Sequence, residues 1–462
     1  MPGRSLRNRL LAELKKTPVV DCHSHTQNPE DYTRKDWGLF NLMSYLVRDL
    51  TGVLDSPAAR PPAGRGADAM RYRELTQVIG LPSTDAFDRQ KTDAARWRLY
   101  RALLHNAGNT SYARHALVMY RELFGLRDPE LNDRNWKTVH EAIRRKTKDP
   151  HWYAEVTKKR CQLVTAIRNV TPFDERWDPE YFTPVVRMES VLRLDMREGP
   201  GHVRRPRREK PWGVRFIEQG TGVPISGVRT LKRAIARLLE DYRRQGAVGV
   251  KFGHAYWRTL HHDDVPDADA NRVLAKLLKG RKLTPAEVKA LQDWGFRQVV
   301  RTAGDMNMVV QIHTGVQTNW GHIPDSNPLH LLNVIRAHRN VRFDLFHAGY
   351  PYARELGMLG KHYPNVWLNM CWMYVITMAG SRQILKEWID LVPGHRLLGF
   401  GSDVGTPEFI YAHLVMARAC LADVLADKVE NDFLSEEVAM RLIRQMMLDN
   451  PCQLYGIRRP RT

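Results

Sequence analysis

Met308–His347 reads MVVQIHTGVQTNWGHIPDSNPLHLLNVIRAHRNVRFDLFH and holds one complete strand–helix–strand unit. Met308–Thr314 (MVVQIHT) and Val341–His347 (VRFDLFH) are short apolar runs, the composition of strands buried on both faces of a parallel sheet. Between them, Leu329–His338 fits a helix. His313 and His347 each close a strand, and the 34 residues between them fit one crossover. Six further segments repeat the pattern: Pro18–His25 (PVVDCHSH), Cys161–Ile167 (CQLVTAI), Phe182–Glu189 (FTPVVRME), Ala247–His254 (AVGVKFGH), Asn365–Trp372 (NVWLNMCW) and Arg396–Asp403 (RLLGFGSD). Helical stretches fall between several of them. Thr230–Gln245 sets Leu231, Ile235, Leu238 and Leu239 along one face, Pro285–Ala303 follows a capping Thr284, and Ser381–Leu391 fills a later gap. Eight strand–helix repeats predict an α/β fold of the (β/α)8 TIM-barrel type, with a doubly wound sheet as the alternative.

Two segments break the rhythm. Roughly 130 residues separate the first strand from the second, far more than one crossover needs. They open with a Pro/Gly/Ala-rich loop, Asp55–Ala67, and then take helical spacing over Tyr72–Ile79, Asp93–Leu104, Tyr112–Phe124 and Trp136–Lys146. The expected division is a barrel from residues 1–26 and 159–462, with residues 27–158 as a mainly helical insertion capping its mouth. Gly199–Gly227, rich in Gly, Pro and Arg, is a second excursion.

The chain has 462 residues, and 71 Lys and Arg against 51 Asp and Glu give a net charge of +20. A basic balance suits an anionic small substrate or nucleic acid. The densest basic run, His202–Lys210 (HVRRPRREK), has no interleaved aromatic residues and reads as a solvated loop, which argues against nucleic acid. No run approaches the roughly 18–20 apolar residues of a membrane span, and Met1–Lys16 lacks the apolar block of a secretory signal. Cys22, Cys161, Cys371, Cys420 and Cys452 are odd in number and widely spaced, which argues against a disulfide framework. These readings predict a cytoplasmic protein whose partner is a small molecule, and they leave a homo-oligomer open.

Chemistry concentrates at the strand ends. His23 and His25 stand two apart on the first strand, so both imidazoles can reach one ion. His313, His347 and Asp403 close the fifth, sixth and eighth strands, the rim where barrel chemistry gathers. A single strand-end histidine is usually a core residue; four with an aspartate on one rim predict a divalent cation, zinc first. Lys251, inside the fourth strand, would point into the barrel, where an unpaired ammonium is costly. An ion pair is one solution; carbamylation by CO2, which makes an anionic bridge between two metals, is the other. One metal is therefore expected and a second is left open.

In that order along the strands, His23-x-His25, Lys251, His313, His347 and Asp403 resemble the metal-site pattern of the amidohydrolase superfamily. The later half is similar to its amidohydrolase-2 branch, which includes the domain fused to glutamine synthetase-like modules in fungi and plants. The matching segments are VKFGHAYWR, IHTGVQ, NPLHLLNVI, FHAGYPYARELGMLGKHYPNVWLN and GSDVGTPE, with Asn450 in MLDNPCQLYGI. The earlier half, with the long insertion and Arg187 in TPVVRMES, resembles uronate isomerases of the same superfamily; His347 departs from their sixth strand.

The resemblance implies a metal-dependent hydrolase attacking a C–N or C–O bond, with a uronate isomerase or a non-oxidative decarboxylase as the alternative. It implies a metal on His23, His25 and Asp403, with His313 as a further ligand or as a ligand of a second metal bridged by carbamylated Lys251. Asp403 then shuttles the proton, and His347 polarises the carbonyl or completes a second metal site. Arg187 and Arg258 are candidates for binding a substrate carboxylate, against ordinary ion pairs, and Tyr256, Trp257 and Trp320 for lining the pocket.

Overall fold

The computed structural model describes residues 2–43, 45–52, 85–88, 90–173, 175–198, 204–206, 209–317 and 322–460. Its eight strands are β1 (Val19–Ser24), β2 (Leu163–Val170), β3 (Phe182–Arg187), β4 (Gly249–Phe252), β5 (Val309–Ile312), β6 (Phe343–Leu345), β7 (Val366–Asn369) and β8 (Leu397–Leu398). All pairings are parallel, and each strand pairs with the next in chain order. Beyond β8 the chain meets β1 again. Cys22 N–H donates to Phe400 O (3.1 Å), Asp403 N–H to His23 O (2.8 Å) and His25 N–H to Val404 O (3.1 Å). The sheet therefore curls round on itself as a (β/α)8 barrel, which rules out the open doubly wound sheet.

Several boundaries differ from the sequence reading for local reasons. β2 starts at Leu163 because a π-helical turn, Glu155–Arg160, runs on to Arg160 and Gln162 then takes a φ of 55°. β8 spans only Leu397–Leu398, and just beyond it the chain at Gly401 passes so close to the residues after β7 that a Cβ there would sit 2.9 Å from Cys371 Sγ. The expected helix over Leu329–His338 is a 3-10 turn, Pro328–Leu331, followed by a short helix, Leu332–Ala337. Thr284 caps Pro285–Asp305 with a reciprocal Glu287 contact, as its spacing suggests. Helices Trp212–Thr221 and Asp267–Leu278 were not foreseen.

Helices Pro29–Thr33, Leu46–Gly52, Asp85–Asp88, Asp93–Ala107, Ser111–Phe124 and Trp136–Thr147 lie between β1 and β2. The loop Asp55–Ala67 and the helix expected over Tyr72–Ile79 lie outside the described residues. Ser111–Phe124 packs on the helix Pro407–Glu430. Near that helix's start, buried Glu408 accepts hydrogen bonds from Tyr32 Oη and from Trp152 Nε1 (2.7 Å). Pro407–Glu430 is long and apolar enough to cross a membrane, contrary to the sequence reading, but 78% of its apolar window is buried inside the protein. It is a core helix.

The barrel floor is sealed by Val20, Cys22, Ile167, Val185, Val309 and Leu398, packed against Leu448, Cys452, Leu454 and Tyr455 from the C-terminal segment. Asn450 Nδ2 donates to Gly394 O and Leu397 O, holding that segment against β8.

Candidate active site

The register of β1 against β2 shifts between Asp21 and Ser24. Cys22 thus belongs to the floor, while His23, the next residue, also turns inward and meets Gln311 on β5. Gln311 Nε2 donates to Cys22 O (2.9 Å) and to Tyr455 Oη (2.6 Å), which fixes its Oε1 as the acceptor for His23 Nδ1–H (3.2 Å). His23 Nε2 therefore carries a lone pair. It lies 3.6 Å from Asp403 Oδ1, and His25 Nε2 lies 3.1 Å from the same oxygen. Ligand atoms of His23, His25 and Asp403 all fall within 4.8 Å of one another.

Asp403 adopts a φ of 53°, a left-handed conformation that aspartate tolerates better than most side chains. Its N–H donates to His23 O, and its carbonyl accepts from Tyr45 Oη (2.6 Å), a residue of the β1–β2 segment. Burial alone would raise the Asp403 carboxyl. The hydrogen bond from His25 and the nearby His25, His347 and Lys251 charges outweigh that, and its pKa is lowered. Burial, then the neighbouring Lys251, His25 and His347, holds His23 well below the usual histidine range. A neutral imidazole with its lone pair facing an ionised carboxylate is the donor set a divalent cation needs, and these residues fit one.

His313 and His347 form a second pair, His313 Nδ1 lying 2.8 Å from His347 Nε2. His313 Nε2 donates to Val316 O (2.8 Å) and His347 Nδ1 to Cys371 O (3.0 Å). Two neutral rings own only two N–H groups, and the carbonyls take both. The facing nitrogens then oppose lone pairs, which repel unless a proton or another cation lies between them. Burial pushes His347 down to about 4. Its Nε2 is 3.9 Å from Asp403 Oδ2, so the pair adjoins the first group.

Lys251 Nζ lies 3.8 Å from the centre of the Phe346 ring, and burial lowers its pKa to about 8. Among the described residues no carboxylate approaches it within 4 Å, so the structural ion pair is not found. His23, His25, His313, Asp403, Lys251, Arg187 and Tyr256 all line one cavity of about 1060 Å3. Arg187 Nε donates to Glu189 Oε2 (2.9 Å), and Glu189 Oε1 accepts from Gly253 N–H (2.5 Å). The Tyr256 ring stands 4.7 Å from His313, centre to centre. Trp257 lines the cavity too.

The structure does not bring Arg258 there. Its guanidinium is buried against Asp293 (2.6 Å), Gln292 and the carbonyls of Thr259 and His261, so the ion pair replaces the substrate contact. Trp320 lies outside the described residues. Sequence reasoning passed over Gln311, Glu189 and Tyr45. Gln311 and Glu189 were legible in principle, each two residues from a singled-out site residue on a strand; Tyr45 gave no signal.

The sequence profile of the amidohydrolase family matches residues 216–457, more than half of the chain. The chain belongs to the amidohydrolase family. Protein fluG of Emericella nidulans is 31% identical to this amidohydrolase over 249 residues, which are 50% of this chain and 29% of that protein. The chain thus spans under a third of that relative. A uronate isomerase of Brucella canis is 24% identical over 482 residues, covering 96% of this chain and 97% of its own. A crystal structure of a uronate isomerase from Thermotoga maritima superposes with a TM-score of 0.72 at 16% identity, covering 98% of this chain and 97% of that one. At that identity the likeness is one of fold.

Proposed function

We propose that this amidohydrolase is an aldose–ketose isomerase acting on a small uronate-like sugar acid. The observation that supports this reading is the extent of the likeness: the Brucella canis uronate isomerase aligns through the β1–β2 helices as well as the barrel, whereas fluG matches about half of this chain. The sequence alone put hydrolysis first; the length of the match reverses that order.

In this reading His23, His25 and Asp403 hold one divalent cation, zinc being the first to test, and His313, His347 and Lys251 are the residues for a second. A divalent cation there supplies Lewis acidity toward a carbonyl and its neighbouring hydroxyl. Isomerisation then moves one proton from C2 to C1 and one from O2 to O1, with no other reactant. Asp403, ionised and screened from water, takes the carbon-bound proton at Oδ2 and returns it to the adjacent carbon. The His313–His347 pair holds the hydroxyl proton between its facing nitrogens. Arg187, oriented by Glu189, and Tyr256 position the sugar. The described part of the β1–β2 segment acts as a cap and supplies Tyr45 and Arg48 to the cavity wall.

Hydrolysis of a C–N or C–O bond is the second reading. It is favoured by His347 standing with His313 and Asp403, and by the higher identity to fluG in the matched half. Purified protein assayed on glucuronate and galacturonate, beside a panel of amides, esters and lactones, separates the two. Ketose formation supports isomerisation; turnover on the amide and lactone panel alone overturns it.

A further inference from the structure

We propose that Arg193 forms an anion subsite in this cavity, taking the carboxylate of a substrate whose reacting end lies at His23, His25 and Asp403. The proposal deepens the isomerase reading, on which its choice of probe rests.

Arg193 closes the 3-10 turn Glu189–Arg193 that follows β3, and it lines the same cavity as His23, His25 and Asp403. The cavity walls carry Arg48, Arg187, Arg193 and Lys251 as cations. Arg187 is neutralised in place by Glu189 at 2.9 Å, and any anion reaching it would also meet the Glu189 charge. Arg48 comes from the β1–β2 segment and lies 5.8 Å from the Tyr45 ring centre, beside the residue that holds Asp403. Arg193 differs from both. Among the described residues no carboxylate lies within 4 Å of its guanidinium, and Glu189 and Asp195 act on it only from farther away.

The side chain is nevertheless well placed. Its guanidinium lies 4.9 Å from the centre of the Trp257 ring, a cation–π contact that orients the planar fork. Its backbone is gripped from behind: a Cβ at Gly213 would sit 1.9 Å from Arg193 O, so the start of the helix Trp212–Thr221 packs directly on it. A half-buried cation without a close counter-charge is costly, and burial lowers the Arg193 pKa accordingly. A carboxylate bound in bidentate fashion removes that cost and matches the fork. The Glu189 charge raises the pKa of both Arg193 and Lys251, against the burial that lowers each. Arg193 and the His23, His25 and Asp403 group line one cavity, and a uronate carries its carbonyl at one end of a six-carbon chain and its carboxylate at the other.

The test uses the protein purified with its divalent cation and compares D-glucuronate with D-glucose, which has CH2OH in place of the carboxylate. Affinities are measured by calorimetry for wild type, Arg193→Gln and Arg193→Lys, and KM and kcat wherever turnover is seen. The expected result is an Arg193→Gln affinity for glucuronate about 10- to 100-fold weaker, with glucose binding unchanged and partial recovery in Arg193→Lys. Where there is turnover, KM rises more than kcat falls. Wild-type preference for glucuronate persisting in Arg193→Gln overturns the subsite, as does equal weakening of both sugars or a wild type without preference for the acid. The two ideas fail separately. Charge-selective binding without ketose formation leaves the subsite standing and removes the isomerase reading; ketose formation at wild-type KM in Arg193→Gln does the reverse.

Discussion

Gln311→Leu should separate metal affinity from the rest of the site, because Gln311 touches the proposed cation only through His23. In the wild type, Gln311 Oε1 accepts the Nδ1–H of His23, which commits Nε2 to the cavity as a lone pair. Leucine has a similar volume but no acceptor. The His23 ring is then free to take the other tautomer, with a proton on Nε2 that must leave before any cation binds. Loss of such a supporting hydrogen bond typically costs 10- to 100-fold in metal affinity, or about 1.4–2.7 kcal/mol. The same change strips Cys22 O and Tyr455 Oη of the Gln311 N–H, and in either tautomer it leaves His23 Nδ1 without its partner in a site only 1% exposed. Each unsatisfied buried group costs about 1–3 kcal/mol, so global stability should fall by roughly 2–4 kcal/mol. Gln311→Glu is the control. It also loses the donor to Cys22 O, yet a carboxylate accepts from His23 Nδ1–H at least as well, so its metal affinity should hold while its stability falls. Competition against a chelator of known strength reads the affinity; urea unfolding with the cation present in excess reads the stability. If Gln311→Leu binds the cation within twofold of wild type, the tautomer argument is wrong.

Three shorter expectations follow. Asp403→Asn should keep the fold and lose about 10²- to 10⁴-fold in kcat, and activity within twofold of wild type would refute the proton-carrying role. Tyr45→Phe removes the hydrogen bond to the Asp403 carbonyl; stability should drop by about 1 kcal/mol and kcat by roughly tenfold, and an unchanged kcat would show that Asp403 needs no such clamp. His115, buried on the β1–β2 segment, is held at about 4 by burial, against the hydrogen bond to Phe409 O that raises it. Its folded pKa is below the unfolded value, so it contributes stability above about pH 6.5 that is lost as pH falls toward 4, about 3 kcal/mol in all. His115→Leu should flatten that decline in urea midpoints measured between pH 7 and 4; an unaltered slope would exclude His115 as its source.

The parts of this protein that announce themselves in sequence are those where one residue type does one job locally. Strands β5 and β6 are legible because an apolar run ends abruptly in histidine, and the 34-residue spacing leaves room for only one crossover. The same logic reaches His23, His25 and Asp403. It stops where a side chain's meaning depends on what folds against it. Arg258 and Arg193 look alike in the sequence, each a few residues past a strand. Asp293, on the helix Pro285–Asp305, captures the first, while among the described residues no carboxylate lies within 4 Å of the second. Gln311 would pass for a misplaced polar residue until its four hydrogen bonds, to His23, Cys22 O, Asp344 and Tyr455, are seen. Three helices between β1 and β2, Asp93–Ala107, Ser111–Phe124 and Trp136–Thr147, are legible from their spacing, whereas Pro29–Thr33, Leu46–Gly52 and Asp85–Asp88 are not. Which residues reach the cavity depends on packing such as that on the helix Pro407–Glu430, where Glu408 ties down Tyr32 and Trp152.

Backbone strain and ligand position coincide at the barrel mouth, and the coincidence has a mechanical reason. His347, Trp372 and Asp403 follow β6, β7 and β8, and each takes a left-handed φ, of 58°, 65° and 53°. Such a conformation costs a residue with a Cβ roughly 1–2 kcal/mol, so three of them are not retained without compensation. The compensation is visible at each position. His347 Nδ1 donates to Cys371 O at 3.0 Å, Trp372 N–H donates to Gly401 O at 2.9 Å, and Asp403 is held through both its N–H and its carbonyl. A strand continuing in extended form would carry its last side chains alternately inward and outward along the barrel axis. Turning left-handed at the last step breaks that alternation. Asp403 thereby comes within reach of both His23 and His25, and His347 within reach of His313. The strain is thus the means by which strands of ordinary period deliver adjacent ligands to one point, and the hydrogen bonds that oppose it keep those ligands in place before any cation arrives.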